Sequence, residues 1–129
     1  MKKTILTTLM AFSILLIVIG CASGSAIITG QVREPLNPST VILYSEPPEN
    51  YEVIGIVMAS SNAGFTAQQD FNYAVEELKK QAAKLGANGV LIENIGKNTS
   101  SAIGSSGNGS FYGYSTSEHS ISGKAIFVQ

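Results

Sequence analysis

The sequence predicts a small α+β domain, in which one amphipathic helix packs on a mostly antiparallel sheet of about four or five strands. Three observations support this fold class. One segment has helical periodicity, several short β-prone runs are separated by Pro- and Gly-rich turns, and the 129-residue chain has room for one domain after an apolar N-terminal segment. The expected order of elements is β-β-β-α-β-long loop-β.

Three strands are predicted before the helix. Residues 26–30 form a brief strand, and Pro35 and Pro38 then favour extended or turn geometry. Residues 41–44 (Val-Ile-Leu-Tyr) form the second strand and stop at Ser-Glu-Pro-Pro. Residues 51–58 form the third, in which a glycine at position 55 indicates a bulge or a close approach.

The helix is the clearest element of the sequence. Thr66 and Gln69 match a capping box at its start, and Gly86 is placed to end it in the left-handed conformation. Apolar residues recur between these limits at steps of three and four, which predicts one buried stripe. The stripe consists of Phe71, Ala74, Val75, Leu78, Ala82 and Leu85.

Two further strands follow the helix. Residues 89–95 are predicted to enter the core directly, and residues 121–128 to close the chain as a strand. Between them, residues 96–117 are rich in Gly, Ser, Asn and Thr, a composition typical of a long loop. The last two strands are therefore expected to form a hairpin with an unusually long connection.

The first 20 residues have the three zones of a secretory signal. Lys2 and Lys3 form a short basic start, residues 4–19 are mainly apolar, and Val18-Ile19-Gly20-Cys21 closes the run. The alternative is an uncleaved transmembrane helix, but the apolar run of about 16 residues is shorter than the roughly 20 needed to cross a bilayer.

The tetrapeptide at 18–21 resembles the lipobox of bacterial lipoproteins. This resemblance implies that the signal peptide 1–20 is removed, that the Cys21 thiol carries fatty acyl chains, palmitate among them, and that the new amine can be acylated too. Ala22 rather than Asp follows the cysteine, which by the same resemblance implies the outer membrane, facing the periplasm. Residues 21–25 are then the lipidated cysteine and a flexible tether, and residues 26–129 a single domain.

A second resemblance covers about half of the remaining chain, residues 41–95. The Ile54-Gly55 strand, the helix and the Gly86-Ala87-Asn88 turn before the next strand are similar to small uncharacterised proteobacterial lipoproteins. The same pattern is distantly similar to the stress-sensor lipoprotein of the Rcs phosphorelay and to a family of small proteins labelled heavy-metal-binding. The resemblance implies the fold and an envelope location. It implies no functional residues, since the sensor resembles a disulfide-stapled domain and soft metals need Cys or clustered His. Within the turn, Gly86 is expected to end the helix and Asn88 to tolerate left-handed angles.

Charge argues against nucleic acid as a partner. Without the two N-terminal lysines, six basic and nine acidic side chains remain, a net charge of −3. This balance provides neither the basic surface that binds phosphate backbones nor a polybasic membrane patch. The lipid anchor on Cys21 is thus the predicted route to the membrane.

No catalytic, cofactor or metal set is predicted. His119 is the only histidine, and we expect it to be solvated beside the loop. The carboxylate pairs Glu46 with Glu49 and Glu76 with Glu77 fit solvated surfaces. The glycines of the 96–117 loop lack the strand, helix and Lys-Ser/Thr of a phosphate loop.

Three aromatics, Phe111, Tyr112 and Tyr114, interrupt the Gly/Ser loop and form a candidate contact loop. Aromatic side chains there could stack on sugar or insert at an interface, while the alternatives are packing on the sheet edge or disorder. The sequence as a whole therefore predicts a non-enzymatic, lipid-anchored envelope protein that acts through protein or peptidoglycan contacts. The alternative is a small-ligand or metal-binding module, and open sheet edges could also pair between copies.

Overall fold

The computed structural model describes residues 22–105 and 111–129 and has the predicted α+β fold, with one helix packed on a five-stranded sheet. The segment predicted to be a signal peptide, residues 1–20, and Cys21 lie outside the described residues. The strands are β1 (Ala22–Ile28), β2 (Ile42–Tyr44), β3 (Tyr51–Ser61), β4 (Gly89–Ser105) and β5 (Phe111–Val128). The helix is α1 (Ala67–Lys84), and one 3-10 turn lies at Pro38–Thr40.

The sheet has the strand order β1-β3-β5-β4-β2. Three of its four pairings are antiparallel, and the pairing of the short edge strand β2 with β4 is parallel. The predicted order of the strands and the helix and the mostly antiparallel pairing are confirmed. The predicted irregularity in β3 is also present, as a register shift between Val53 and Gly55.

The helix begins and ends where its capping residues predict. The Thr66 hydroxyl accepts a hydrogen bond from the Gln69 backbone N–H at 3.2 Å. The Gln69 side chain reaches back one residue further than in the standard capping box, and its Oε1 accepts from the Phe65 N–H at 2.9 Å. Gly86 has φ +75°, the left-handed angle predicted for it.

The core lies between α1 and one face of the sheet. The predicted stripe faces it, with Ala74, Leu78, Ala82 and Leu85 buried and Phe71 and Val75 partly buried. The sheet contributes Ile54, Val57, Ala59, Val90, Ile121 and Ala125. Many of these residues are alanines, which lets the helix approach the sheet closely.

The tether predicted at residues 21–25 is wrong for the described residues 22–25. These residues belong to β1 and pair in antiparallel register with β3, from Ala22 opposite Ser61 to Ser25 opposite Met58. Small polar residues can form an edge strand as readily as a linker, because strand pairing uses backbone N–H and C=O groups rather than side chains. The folded sheet therefore starts one residue after Cys21.

The loop predicted over 96–117 is also largely wrong. Strands β4 and β5 continue through it in unbroken antiparallel register, from Gly96 opposite Ser120 to Ser105 opposite Phe111. The predicted pairing of the last two strands is confirmed, but the strands extend to Ser105 and from Phe111, and residues 106–110 lie outside the described part of the chain. Local composition underestimated this hairpin because the long-range ladder satisfies the backbone whatever the side chains are.

Asn88 does not have a left-handed backbone conformation: among the described residues, no residue other than glycine has a positive φ. Its side chain instead bonds the C-terminal strand. The amide nitrogen donates to the Val128 carbonyl at 2.9 Å, and the amide oxygen accepts from the Val128 N–H at 2.7 Å.

Candidate functional site

No described helix or strand covers the sheet face opposite the helix, and part of this face carries rows of mostly small, polar residues. Side chains alternate between faces along a strand, and the buried Val57, Ala59 and Ser61 define the helix side of β3. Their neighbours Met58 and Ser60 therefore lie on the open side. We call this side the open face.

Two rows of the open face cross four strands in register. The first row consists of Ser23, Ser60, Ser120 and Gly96, and the second of Ser25, Met58, Ser122 and Asn94. A third row, Ile27, Ile56, Lys124 and Leu91, has much larger side chains. The side chains of the first two rows are mostly small and those of the third row are large. The sheet surface therefore has a hollow over the first two rows, bordered by the third.

The hollow is a shallow open cavity of about 440 Å³. The residues of the two rows other than Gly96 line it, together with Asn98 and Glu118, which lie opposite each other on β4 and β5. The Ser23 and Ser60 hydroxyls lie 3.3 Å apart and share a hydrogen bond. The other polar groups are hydroxyls, two amides and one carboxylate, all of which can exchange hydrogen bonds with a ligand. Met58 adds an exposed apolar side chain to the lining.

An ion pair lies at the large-residue side of the cavity. The Lys124 ammonium contacts the Glu93 carboxylate at 2.7 Å. This hydrogen bond, with the attraction of the same carboxylate, raises the pKa of Lys124 above its usual value. Both side chains are about half-exposed and neutralise each other. The pair therefore places polar groups beside the cavity but contributes little net charge to it.

The chemistry of the open face is that of binding through hydrogen bonds. Its serines have no histidine beside them on this face, because His119 alternates with Ser120 and lies on the helix side. Glu118 is the single carboxylate in the cavity lining. A hydroxyl- and amide-rich surface of this kind suits neutral polar groups such as peptide backbones and sugars.

His119 is less exposed than the sequence predicted. It lies opposite Ser61, and its Nε2 is buried with no hydrogen-bond partner in the described part of the structure. The two buried polar side chains among the described residues accept backbone hydrogen bonds: Ser61 from the Ala63 N–H at 3.2 Å, and Asp70 from the Gly64 N–H at 2.7 Å. Ser61 is 1% exposed, so a substrate could not reach its hydroxyl in this arrangement.

The remaining predicted groups are spread over the surface. Glu46 and Glu49 are exposed beside Pro47 and Pro48, as expected. Glu76 is exposed on α1, whereas Glu77 is partly buried and accepts from the Gln81 amide at 2.7 Å. Among the described residues, no three or more His, Cys, Asp or Glu side chains cluster closely enough to hold a metal ion.

The aromatic contact residues fall on strand rather than loop. In the β4–β5 ladder Phe111 lies opposite Ser105, Tyr112 opposite Gly104 and Tyr114 opposite Ala102. Their side chains lie outside the described part of the structure. No helix in the described ranges 22–105 and 111–129 has the length and hydropathy to span a membrane.

Sequence reasoning missed the open face because it had no register between distant strands. Local sequence predicts a tether at Ser23 and Ser25 and a loop at Asn98. One signal was available: Ser120 and Ser122 alternate with Ile121 and Gly123, which is typical of a strand with one buried and one polar face.

The comparisons with known proteins give one structural similarity. No protein-family model and no curated protein matches the sequence. The chain is similar to the crystal structure of a Francisella virulence factor, FvfA, in its orthorhombic form, with 19% sequence identity and a TM-score of 0.46. The alignment covers 81% of this chain and 97% of that one. A similarity of this size supports no transfer of function.

Proposed function

We propose that this chain is a bacterial envelope lipoprotein, held at a membrane by acyl chains on Cys21, that binds an envelope partner without catalysing a reaction. The observation that carries the proposal is the Val18-Ile19-Gly20-Cys21 motif at the end of an apolar segment. The start of β1 at Ala22 supports it, because the fold then begins directly after the residue that would carry the lipid.

The anchor is strong enough for the role. Each buried methylene contributes about 0.8 kcal/mol to membrane binding, and stable attachment takes two membrane signals such as two acyl chains. A cysteine carrying diacylglycerol and an acylated amine exceeds that requirement. The location we propose is the outer membrane, with the domain in the periplasm.

Mass spectrometry of the full chain, expressed in a bacterium and extracted from membranes, tests the anchor. We expect a mass that corresponds to residues 21–129 plus diacylglycerol and an acyl chain, and incorporation of labelled palmitate. Cys21→Ser should abolish labelling and leave residues 1–20 attached. An unmodified thiol at position 21 in the wild-type protein would refute the proposal.

The open face is the surface that we propose binds the partner, because its hydroxyls and amides form an uncovered hydrogen-bonding cavity. A photoreactive amino acid at Ser122, inside the cavity, should crosslink in intact cells to a specific envelope protein or to peptidoglycan. The matched control is the same amino acid at Glu76, which is exposed on the outer side of α1. Equal crosslinking from both positions, or none from Ser122, would contradict the assignment of this face.

A small-ligand module is the second candidate, and the cavity of about 440 Å³ favours it. This candidate has two forms, a module that binds a small organic ligand and one that binds a metal ion. Calorimetry with soluble peptidoglycan fragments tests the first form, and calorimetry with common divalent ions tests the second. Heat that disappears in Ser122→Trp, which would fill the cavity, supports ligand binding at the open face. Heat that persists in that variant places the ligand elsewhere.

A further inference from the structure

Strand β1 is an edge of the sheet whose outer side pairs with no described strand. Its inner side is set by the pairing with β3, which continues one residue further, where the Thr29 N–H donates to the Ile54 carbonyl at 3.0 Å. Backbone groups alternate in direction along an antiparallel strand. The N–H and C=O groups of Gly24, Ala26 and Ile28 therefore point outward, away from β3, where another strand can bond them.

β1 lacks the features that protect edge strands from pairing. Its sequence, Ala-Ser-Gly-Ser-Ala-Ile-Ile, contains no charged residue and no proline, and its register with β3 is unbroken. Lysines, prolines, bulges and very short strands are the usual protection. The other edge has it, because β2 is only 3 residues long and is soon followed by Pro47 and Pro48. Of the two edges of the sheet, β1 is thus the one that can accept a further strand.

The first half of β1 has polar surroundings on both faces of the sheet. Ser23 and Ser25 lie on the open face and line its cavity. On the helix side, a Cβ at Gly24 would lie 2.8 Å from the Gln81 side chain and 2.9 Å from that of Glu77. A strand added beside this half meets hydroxyl, amide and carboxylate groups, which suit small or polar side chains.

The second half of β1 is apolar and uncovered. Ile27 is 53% exposed and Ile28 is 59% exposed. Ile28 lies on the same side as Ala26, which packs against the core, so Ile27 lies on the open face. Apolar residues of an added strand would bury both isoleucines, one on each face of the sheet.

A second copy of the chain fits this edge less well than a separate peptide. Two β1 strands would pair antiparallel about a two-fold axis perpendicular to the sheet, and for two copies anchored in one bilayer that axis lies along the membrane normal. The joined sheet would then lie flat on the membrane. Either the open face would be pressed against the bilayer, or α1, about 10 Å across, would separate the bilayer from Cys21.

We propose that β1 is a strand-addition site, at which an extended peptide segment of the envelope partner pairs with the outer edge of β1 and lengthens the sheet. The segment has small or polar residues beside residues 22–25 and two apolar residues beside Ile27 and Ile28. The proposal rests on the proposed function and specifies the partner as a peptide chain. Backbone pairing provides the affinity and the alternating side chains provide the specificity. The added strand also extends the rows of the open face, next to Ser23 and Ser25.

Hydrogen exchange of the full chain, processed in a bacterium and held in detergent micelles, tests the site with a defined peptide. The probe is acetyl-Ile-Val-Thr-Ser-Thr-Ser-amide, whose β-branched residues favour a strand and whose apolar residues fall beside Ile28 and Ile27 in an antiparallel pairing. We expect exchange of the backbone amides in residues 22–28 to slow by about tenfold when the peptide is present at about ten times its dissociation constant.

Variants at the edge separate strand addition from other binding. Ala26→Pro removes an outward N–H and should abolish the slowing. The matched control is Ala26→Val, which has a similar size and keeps the N–H, and should retain it. Ser25→Lys repeats the test at an exposed residue, where a lysine opposes edge pairing. Equal slowing in the parent protein, Ala26→Pro and Ser25→Lys would overturn the proposal.

Two further outcomes would also overturn it. One is the absence of slowing in the parent protein at millimolar peptide. The other is a dimer in light scattering without peptide that Ala26→Pro dissociates, since a second copy then occupies the edge.

Crosslinking in cells separates this proposal from the proposed function. A photoreactive amino acid at Ile28, which faces away from the open face, should crosslink to the same partner as one at Ser122. Crosslinking from Ser122 and not from Ile28 overturns the strand-addition site and leaves the proposed function intact. Crosslinking from neither position overturns both.

Discussion

Gly86 ends the helix at a place where any side chain would meet backbone. Its φ of +75° is left-handed, and a Cβ there would lie 2.6 Å from the Glu34 carbonyl oxygen and 2.7 Å from the Arg33 carbonyl carbon. The 31–37 segment crosses the helix end at this point, where the Arg33 N–H donates to the Leu85 carbonyl at 3.0 Å. Gly86 therefore both caps the helix and lets the 31–37 segment, more than 45 residues earlier in the sequence, pack against the helix end.

We expect Gly86→Ala to lower the free energy of unfolding by more than about 1–2 kcal/mol, the usual cost of left-handed angles for a residue with a Cβ, because backbone contacts add to it. Gly96→Ala is the matched control, since its Cβ would meet only the Ser120 hydroxyl, at 2.9 Å, which can rotate away. We expect it to change stability by within about 0.5 kcal/mol. Urea denaturation of both variants measures the difference, and equal midpoints would contradict the role of Gly86.

Asn88 replaces a missing strand neighbour for the end of β5. Its amide makes both hydrogen bonds to Val128 that another strand would make. We expect Asn88→Ala to cost about 1–3 kcal/mol, because it leaves the Val128 N–H and carbonyl unpaired in a half-buried position. Asn88→Asp should be nearly as damaging, since its carboxylate can accept from the N–H but repels the carbonyl. Thermal unfolding tests this order, and a fully stable Asn88→Ala would contradict it.

The Gly86-Ala87-Asn88 turn shows which residue roles the sequence can predict. The left-handed Gly86 follows from local rules of helix capping, and its conformation is confirmed. The role of Asn88 depends on Val128, 40 residues away, and no local rule identifies that partner. Likewise, the buried Nε2 of His119 follows from its register beside Ser61, which the local sequence does not fix.

The helix was the most predictable element, because capping and apolar periodicity are both local and agree with each other. The extension of β4 and β5 was the least predictable. Its Gly, Ser and Asn content argued for a loop, while the strands there are held by pairing with each other. The open face was missed for the same reason, since its rows exist only after four strands are placed in register.

Hydrogen exchange of the extended part of β4 and β5 distinguishes the strand from the predicted loop. We expect backbone amides in residues 99–105 and 111–117 to exchange more slowly than in an unstructured chain, because half of them are paired in the ladder. They should exchange faster than those of residues 119–126, which α1 covers and β3 also pairs. Exchange at the rate of an unstructured chain throughout residues 99–105 and 111–117 would support the predicted loop and contradict the paired strands.

At the scale of the whole molecule, the main structural consequence is the short stretch of chain between the domain and Cys21, the proposed anchor. A flexible tether at 22–25 would leave a lipid-anchored domain free of the bilayer, whereas β1 starts one residue after Cys21. β1 is also an edge of the sheet, with β3 as its single sheet partner among the described residues. Pairing of such edges between copies stays a prediction, for which light scattering is the test.

The contribution of residues 22–25 to folding separates a strand from a tether. In β1 they pair with β3, the Ser23 hydroxyl bonds Ser60, and a Cβ at Gly24 would touch the Gln81 and Glu77 side chains of α1. Deleting these four residues in the Cys21→Ser protein should therefore lower the free energy of unfolding by about 1–3 kcal/mol, within the range for lost native contacts. The control replaces residues 22–25 by an equal number of Gly and Ala residues, which can still form the backbone ladder and should recover most of the loss. Denaturant midpoints measure both variants. A deletion with the same midpoint as the parent would show that the segment is a tether and that the domain is not held close to the membrane.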